Sequence, residues 1–313
     1  GPLAGATRGP SSAAMDPCDC VIYFRPAIVR PVEISMPSLH VNGVRVHYSD
    51  QGRGDPVILV HTGVSNGGQW RAMTAHLAAN WRCLAIDLHG RGKSDPWPGP
   101  GGVSLDGDAG LVMALAAKHG PAHLVGHSWG AAVGIQAVLA ASSSFASLAL
   151  IEPPLYPLLV ERGEVDILAP LEADVEHFLG QIDEGRQAEG WQDFVNMHNG
   201  AGTWESLSHD KRQEFIAMSD TARDSYDAMH QNPTRGVDLG RLTLPTLVLW
   251  GSETAPHDVR LCEIALETIP GSRGEAIPGA GHVSPMSHPE EVAAALKRHL
   301  ERCSRGRSGP AVV

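Results

Sequence analysis

The residues of this chain best suited to chemistry lie in the segment Gly126-His127-Ser128-Trp129-Gly130, which has the pattern G-x-S-x-G. A serine between two such glycines is typical of a tight strand-to-helix turn that holds the hydroxyl above the end of a sheet as a nucleophile. The flanking sequence agrees, because Leu124 and Val125 are typical of a strand end and residues 131–141 favour a helix. The pattern predicts that Ser128 is a catalytic nucleophile.

A serine hydroxyl needs a base, and the base needs a carboxylate that holds its tautomer and stabilises its cation. We predict that His282 is the base, because it follows a glycine-rich stretch after the last predicted strand. We predict that Glu152 is the acid, because it directly follows an apolar strand, where a buried carboxylate needs a partner. Glu253 and Asp258, near the end of a later strand, are the alternative acids.

Apolar runs that alternate with helical patterns must position these residues. An unbroken apolar run is typical of a strand covered on both faces, so the runs predict an α/β fold with a mostly parallel central sheet and helices on both faces. Asn42-Gly43, between two alternating runs, predicts a hairpin turn before the parallel part of the sheet. The predicted strands cover residues 56–61, 82–88, 122–127, 146–151, 244–251 and 273–277, and the predicted helices cover residues 69–79, 104–119, 257–269 and 288–302.

The alternation stops between residues 155 and 242, where charged residues, tryptophans and helical spacing dominate. We predict that this segment is a helical cap inserted into a core formed by residues 37–154 and 243–302. Residues 1–36 mix Gly, Pro, Ser and Ala without periodicity, and they are predicted to be a leader outside the fold, either disordered, an expression remnant or an upstream translated stretch, with an added strand or a docking arm as the alternative. Residues 303–313 are predicted to be a loose tail.

Four signals in this chain stand in the order of one known family. They are a strand that ends at His61 before a glycine-containing loop, the motif Asp87-x-x-Gly90-x-Gly92-x-Ser94, the G-x-S-x-G segment, and the glycine-rich stretch before His282. In these signals the chain resembles the α/β-hydrolases over residues 38–302. The resemblance implies the α/β-hydrolase fold and the chain order nucleophile, acid, histidine.

The acid is where the chain departs from most of that family. Most members have an aspartate three residues after a glycine that ends the strand before the last, and this chain has Thr254 there. A threonine cannot stabilise an imidazolium by charge. The chain is therefore similar to a subgroup with the acid after the strand that follows the nucleophile, including haloalkane dehalogenases, zearalenone-type lactone hydrolases and related esterases. This likeness favours Glu152.

The resemblance also implies an oxyanion hole made of two backbone N–H groups. One is the N–H of Trp129, directly after the nucleophile, and the other lies on the loop after His61. Thr62 replaces the glycine that is usual there, so that Gly63 is the aligned donor and Val64 the neighbouring alternative.

These features predict a serine hydrolase that cleaves a carboxylic ester or lactone through an acyl-enzyme. The predicted partner is a small apolar substrate, because Val64, Trp191, Met197 and Trp204 could line an apolar pocket, although such side chains could equally pack the cap onto the core. Carbon–carbon bond hydrolysis, perhydrolysis, acyl transfer, cofactor-free dioxygenation and non-catalytic ligand binding remain alternatives on the same fold. A serine nucleophile argues against haloalkane dehalogenase and epoxide hydrolase chemistry, both of which need a carboxylate at that position.

The composition and the spacing of residue types argue against several other classes of partner and cofactor. A net charge of −11 over 313 residues, without a run of Lys or Arg, argues against a nucleic-acid partner. No apolar run approaches the roughly 20 residues of a membrane span, so no membrane partner is expected. The spacing of the cysteines predicts neither a disulfide framework nor a zinc site, and it fits a reducing cytoplasm. No dinucleotide fingerprint or metal cluster is evident in the sequence, so neither cofactor nor metal is predicted. The cysteines are Cys18, Cys20, Cys83, Cys262 and Cys303.

Overall fold

The computed structural model describes residues 34–99, 102–199 and 201–307. Its strands are β1 (Ile34–Ser35), β2 (Ser38–Val41), β3 (Val44–Gly52), β4 (Pro56–Val60), β5 (Arg82–Ile86), β6 (Ala122–His127), β7 (Phe145–Ile151), β8 (Thr246–Gly251) and β9 (Arg273–Ile277). Its helices are α1 (Arg71–Leu77), α2 (Leu105–His119), α3 (Trp129–Ala141), α4 (Tyr156–Arg162), α5 (Ala169–Asp183), α6 (Gln187–Asn199), α7 (Thr203–Ser206), α8 (His209–Ala217), α9 (Ser219–His230), α10 (Gly236–Leu239), α11 (Pro256–Thr268), α12 (Ser284–Ser287) and α13 (Pro289–Arg307).

The described strands form a sheet in the order β1-β3-β5-β4-β6-β7-β8-β9, with β2 paired to β3. The strands from β5 through β9 in this order are parallel, whereas β3 pairs antiparallel with β1, β2 and β5. Parallel neighbours carry their carboxyl ends at the same edge of a sheet, which is where open α/β sheets hold their ligands. The loops after β4, β6, β7 and β8 therefore converge on one edge.

Burial along β4 shows why its sequence is apolar at consecutive positions. Val57 and Leu59 pack into the cluster that includes residues of α1 and α13, whereas Ile58 and Val60 pack into the cluster that includes residues of α2, α3 and α11. Successive side chains of a strand point to opposite faces, so a strand with helices on both faces has no polar side. The predicted α/β fold with a mostly parallel, doubly covered sheet is confirmed.

The ends of the fold differ from the predicted bounds. Ile34–Ser35, within the predicted leader, pairs with β3. Helix α13 runs to Arg307 and so includes residues 303–307 of the predicted tail, because nothing before Gly306 breaks a helix. Residues 1–33 and 308–313 lie outside the described part of the chain.

Helices α4 to α10 occupy the segment predicted to be a cap, between β7 and β8. Several of them share an apolar cluster, here called the cap cluster, made of Phe178, Ile182, Trp191, Val195, Trp204 and Ala222. Across the described residues, no helix combines the length and the apolar character needed to cross a membrane.

Candidate active site

Ser128 occupies the turn between β6 and α3 with φ +52° and ψ −120°, a left-handed region that most residues avoid. The turn is possible because its neighbours are glycines. A Cβ on Gly126 would overlap the carbonyl oxygen of Gly130, and a Cβ on Gly130 would overlap that of Val60. The N–H of Ser128 donates to Ile151 O on the adjacent strand at 2.8 Å, which holds the strained turn in place.

His282 and Glu152 are joined directly at the same edge of the sheet. The Nδ1 of His282 lies 2.5 Å from Oε2 of Glu152, and because a carboxylate only accepts, the imidazole is the donor. Its Nε2 is then free to accept a proton. Within the described ranges no hydrogen bond joins Nε2 of His282 to the Ser128 hydroxyl, and such bonds commonly shorten only when substrate is bound.

Glu152 is buried at the end of β7, and its side chain has no exposed area. Its Oε1 accepts from the Gly251 N–H at 2.7 Å, and its Oε2 accepts from the Thr254 hydroxyl at 2.9 Å as well as from the imidazole. The backbone of Glu152 has φ +46°, so it too is held in the left-handed region. Hydrogen bonds to both oxygens offset the cost of burying this carboxyl group.

A second carboxylate, that of Asp258, faces the same imidazole. Its Oδ2 lies 3.4 Å from Nδ1 of His282 and 3.2 Å from the Thr254 hydroxyl. Thr254 has one hydroxyl proton, which can therefore be given to Glu152 or to Asp258 but not to both. The side chain of Glu253 is exposed and makes no hydrogen bond to the imidazole in the described part of the chain, so the structure brings one of the two alternative acids to His282 and not the other.

The electrostatic balance at His282 favours its charged form. Burial acts to lower the pKa of the imidazole, but the charge of Asp258 and the hydrogen bonds of Asp258 and Glu152 outweigh it and raise that pKa well above its usual value. Burial likewise acts to raise the pKa of Asp258, and the imidazole reverses this and lowers it. About a third of the His282 side chain is exposed, so solvent reaches the group that must lose a proton before it can act as a base.

The spacing of Glu152, Asp258 and His282 would also suit a metal ion, because their ligand atoms all lie within 4.8 Å of one another. The donor set is better explained without one. Both oxygens of Glu152 already accept hydrogen bonds from protein groups, and Nδ1 of His282 carries the proton that one of those bonds requires. We assign no metal to this group.

A chain of buried and partly buried hydrogen bonds links the loop after β4 to the loop that carries His282. The N–H of Thr62 donates to Oε1 of Gln69 at 3.2 Å, and Nε2 of Gln69 donates to Nδ1 of His127 at 3.0 Å. The Nε2 of His127 donates to the carbonyl oxygen of His282 at 2.8 Å. Burial, together with the charge of His282, lowers the pKa of His127 to about 3, so His127 is neutral and this donor pattern persists over the physiological pH range.

The loop after β4 presents backbone N–H groups in peptide units whose carbonyl groups already accept hydrogen bonds from side chains. Thr62 O accepts from Nδ1 of His61 at 2.6 Å, and Gly63 O accepts from Nε of Arg91 at 2.8 Å. The N–H of Thr62 is used by a side chain, whereas the N–H groups of Gly63 and Val64, like those of Ser65 and Asn66 further along the loop, make no hydrogen bond to another described residue. The N–H of Trp129, at the first position of α3, is likewise without an intrahelical partner.

Arg91 and Asp108 form a buried ion pair beneath this loop that sequence reasoning did not identify. Both side chains are fully buried, and Nη1 of Arg91 lies 3.5 Å from Oδ2 of Asp108. Asp108 also accepts from Nε1 of Trp129 and from Nδ1 of His89, each at 2.8 Å. The indole of Trp129 is therefore directed into the core. The sequence signal was the arginine between the two glycines of the motif at 87–94, whose partners are distant in the chain.

The predicted pocket residues lie in three different environments. Trp191 and Trp204 are buried in the cap cluster, where Nε1 of Trp191 donates to the Ser219 hydroxyl at 3.0 Å, so both pack the helices between β7 and β8 against one another. Met197 is 46 % exposed. Val64 lies on the loop after β4, and its partly buried side chain packs against the cap cluster.

Comparison with known proteins places this architecture in a family. The profile of the Alpha/beta hydrolase family matches residues 57–295, which include the strands and loops that carry Ser128, Glu152 and His282. That match covers most of the chain.

Several relatives of low sequence identity align with most of this chain. The chain is 23 % identical over 287 residues to 2-hydroxy-6-oxo-6-(2'-aminophenyl)hexa-2,4-dienoic acid hydrolase of Metapseudomonas resinovorans, with 84 % of this chain and 90 % of the relative covered. It is 26 % identical over 301 residues to epoxide hydrolase 3 of Mus musculus, with coverages of 83 % and 75 %. A thermophilic esterase of known structure superposes with a TM-score of 0.68 at 25 % identity over 87 % of this chain and 99 % of that one. The chain belongs to the α/β-hydrolase family.

Proposed function

We propose that this protein is a serine hydrolase that cleaves a carboxylic ester or lactone through an acyl-enzyme. The observation that carries the proposal is the 2.5 Å contact between Nδ1 of His282 and the buried carboxylate of Glu152, at the sheet edge that also carries Ser128 in a nucleophile turn. This is the constellation of nucleophile, base and acid that acyl transfer requires.

In the first half of the reaction, the Ser128 oxygen attacks the substrate carbonyl while Nε2 of His282 takes the hydroxyl proton. Glu152 accepts a hydrogen bond from the Nδ1–H of the resulting imidazolium and stabilises its positive charge without taking the proton. The carbon–oxygen bond to the leaving alcohol then breaks, the imidazolium gives its proton to that alcohol, and an acyl-serine remains. In a lactone the alcohol stays tethered to the acyl group.

The tetrahedral intermediate places negative charge on the former carbonyl oxygen, and backbone N–H groups are the donors for it. We assign these donors to Trp129 and Gly63, with the N–H of Val64 beside them. The support is that all three N–H groups lack a partner among the described residues, whereas Gln69 occupies the N–H of Thr62. In the second half of the reaction, water attacks the acyl-enzyme with His282 again as the base, and the acid and free Ser128 are released.

The proposed substrate is apolar, and the lactone-hydrolysing subgroup is the analogy that we adopt for it. Three features support this choice: the carboxylate of Glu152 at the end of β7, the threonine at the position where most of the family has its acid, and the side chain of Val64 packed against the cap cluster. We expect aryl and medium-chain esters or a macrocyclic lactone to be hydrolysed in preference to charged esters. Preference for charged esters in such a panel would contradict the apolar assignment.

A fluorophosphonate probe tests the central proposal, because it reacts only with an activated serine. Wild-type protein should be labelled, Ser128→Ala should not, and His282→Gln should be labelled at least about a hundredfold more slowly, since the base contributes that much. Ser142→Ala, in the exposed turn at the other end of α3, is a matched control that should be labelled like wild type. Failure of the wild type to react would refute the assignment.

One relative supports a second reaction on the same residues. The Metapseudomonas relative is named as a hydrolase of a 2-hydroxy-6-oxo dienoic acid. The epoxide hydrolase relative is a poorer guide to the reaction, because epoxide hydrolysis needs a carboxylate nucleophile and this chain has a serine at that position. A 2-hydroxy-6-oxo dienoate assayed beside a nitrophenyl ester would decide between carbon–carbon and ester cleavage. A kcat/KM higher for the dienoate by a factor of about one hundred would replace the ester proposal.

A further inference from the structure

Arg91 has a fully buried side chain and is paired with an equally buried carboxylate, that of Asp108. Such pairs add little net stability, because the cost of removing two charges from water offsets their attraction. The groups that the guanidinium holds are more informative. They belong to three segments that are far apart in the chain.

Each donor of the guanidinium is directed to a different segment. Nε donates to Gly63 O on the loop after β4 at 2.8 Å, Nη1 donates to His89 O at 3.0 Å, and Nη2 donates to the Ser225 hydroxyl on α9 at 2.6 Å. The Ser225 hydroxyl gives its own proton to Thr221 O at 2.7 Å, which leaves its oxygen to accept from the arginine. A guanidinium is a rigid planar fork, so the position of one acceptor constrains the others.

The contact with Gly63 determines how the loop presents its N–H groups. In a planar trans peptide the carbonyl and the N–H point in opposite directions. Holding the Gly63 carbonyl toward Arg91 therefore turns the N–H of Val64 away from the guanidinium. The neighbouring peptide is fixed in the same way, because His61 holds the Thr62 carbonyl and so directs the N–H of Gly63.

The second segment of the candidate oxyanion hole, the start of α3, contacts the same Arg91–Asp108 ion pair. Trp129 carries the other candidate N–H, and its indole donates to Asp108 at 2.8 Å while its ring lies 5.8 Å from the guanidinium carbon of Arg91. The ion pair thus contacts both segments that would hold an oxyanion.

We propose that Arg91 is a positioning residue that couples the seating of the cap to the shape of the oxyanion hole. The guanidinium holds Gly63 on the loop while Ser225 on α9 holds the guanidinium. When α9 moves away from the core, Nη2 loses its acceptor and the loop loses its anchor. The catalytic consequence of this coupling rests on the proposed serine hydrolase function, whereas the coupling itself is a property of the fold.

Hydrogen–deuterium exchange tests the coupling without reference to activity. In Ser225→Ala, peptides covering residues 62–69, in which the N–H groups of Thr62, Gly67 and Gln69 are hydrogen-bonded, should exchange about tenfold faster than in wild type, because a hydrogen bond to a charged group is lost. Ser219→Ala is the matched control. Ser219 also lies on α9, accepts from an indole at 3.0 Å and donates to Ile216 O at 2.8 Å, but both partners belong to the cap. In Ser219→Ala, the same peptides of the loop after β4 should exchange at the wild-type rate.

Kinetics test the catalytic consequence. Ser225→Ala should lower kcat on esters and the phosphonylation rate about tenfold with KM within about threefold, and Arg91→Lys should lower kcat about a hundredfold, the lower end of the effect of losing an oxyanion donor. The acid limb of the pH–rate profile should not move, because His282 is not touched. Since Arg91→Lys leaves Asp108 with a poorer partner and can prevent folding, Ser225→Ala is the decisive variant.

The outcomes separate the two proposals. Loop exchange in Ser225→Ala equal to that in Ser219→Ala would overturn the coupling, whatever the activity. Faster loop exchange with unchanged kcat would overturn its catalytic role. A wild-type protein that no fluorophosphonate labels, but whose loop responds to Ser225→Ala as expected, would refute the hydrolase proposal and leave the coupling standing.

Discussion

Glu152→Gln is the substitution that probes the proposed triad most directly. The amide has nearly the size of the carboxylate, and its carbonyl oxygen can still accept from the Gly251 N–H, the 2.7 Å bond made by Oε1. The amide nitrogen then replaces Oε2 and faces Nδ1 of His282. Two donors cannot share that contact, so the imidazole shifts its proton to Nε2 and can no longer take one from Ser128.

The expected loss follows from the chemistry of the tautomer. The corresponding change in the serine protease template lowers kcat by about 10⁴. Here Asp258 remains 3.4 Å from the same nitrogen and can still hold part of the population in the active tautomer. We therefore expect kcat to fall by about 10²–10⁴, or about 3–5 kcal/mol of transition-state stabilisation. A double variant with Asp258→Asn should fall further than the product of the single effects.

Steady-state hydrolysis of a nitrophenyl ester and the rate of phosphonylation provide two independent measurements of this loss. Circular dichroism should show that the variant is folded. Glu253→Gln is a suitable control, because it makes the same chemical change on an exposed side chain that does not contact the imidazole. A Glu152→Gln protein that keeps more than about a tenth of the wild-type kcat would show that the acid has been assigned wrongly.

Three further predictions follow from the geometry of the site. Asp258→Asn removes a negative charge that raises the pKa of His282, so the acid limb of kcat/KM against pH should move to lower pH; an unmoved limb would mean that Asp258 does not act on the imidazole. Gln69→Leu leaves two buried polar partners without a hydrogen bond, and chemical denaturation should show that the free energy of unfolding falls by about 2–4 kcal/mol. A decrease below about 0.5 kcal/mol would contradict the role of Gln69 in the hydrogen-bond chain. Gly130→Ala forces a methyl group into a carbonyl oxygen of β4. It should abolish activity and lower the melting temperature, measured by differential scanning fluorimetry. A normal melting temperature with normal activity would show that the turn tolerates a Cβ at this position.

Each residue of the proposed triad has a local signal in the sequence. The glycines around Ser128 indicate a turn too tight for a side chain, the glycine-rich stretch before His282 indicates a loop at a strand end, and Glu152 stands out as a carboxylate after an apolar run. These signals need only a few neighbouring residues. The central sheet is predictable for the same reason, because burial on both faces is visible within five or six consecutive positions of one strand.

The supporting residues could not be predicted because their partners are remote. Gln69 is 58 positions from His127, and Arg91 is 134 positions from Ser225. Periodicity assigns such polar residues to a face of an element but says nothing of what they meet there. Asp258 is an intermediate case: the sequence offers it as one of two alternative acids, and the packing of α11 brings it, rather than Glu253, to the imidazole.

The hydrogen bonds at the ends of β6 and β7 bear on how this protein should respond to heat. The N–H of Ser128 donates to Ile151 O at 2.8 Å, and the N–H of Glu152 donates to Leu249 O at 3.0 Å, so the ladder of the sheet continues into both residues. Central strands are among the last elements to open, whereas loops such as the one that carries His282 open earlier. We expect a temperature interval in which the sheet is intact and activity is absent, and in which cooling restores turnover without a refolding step.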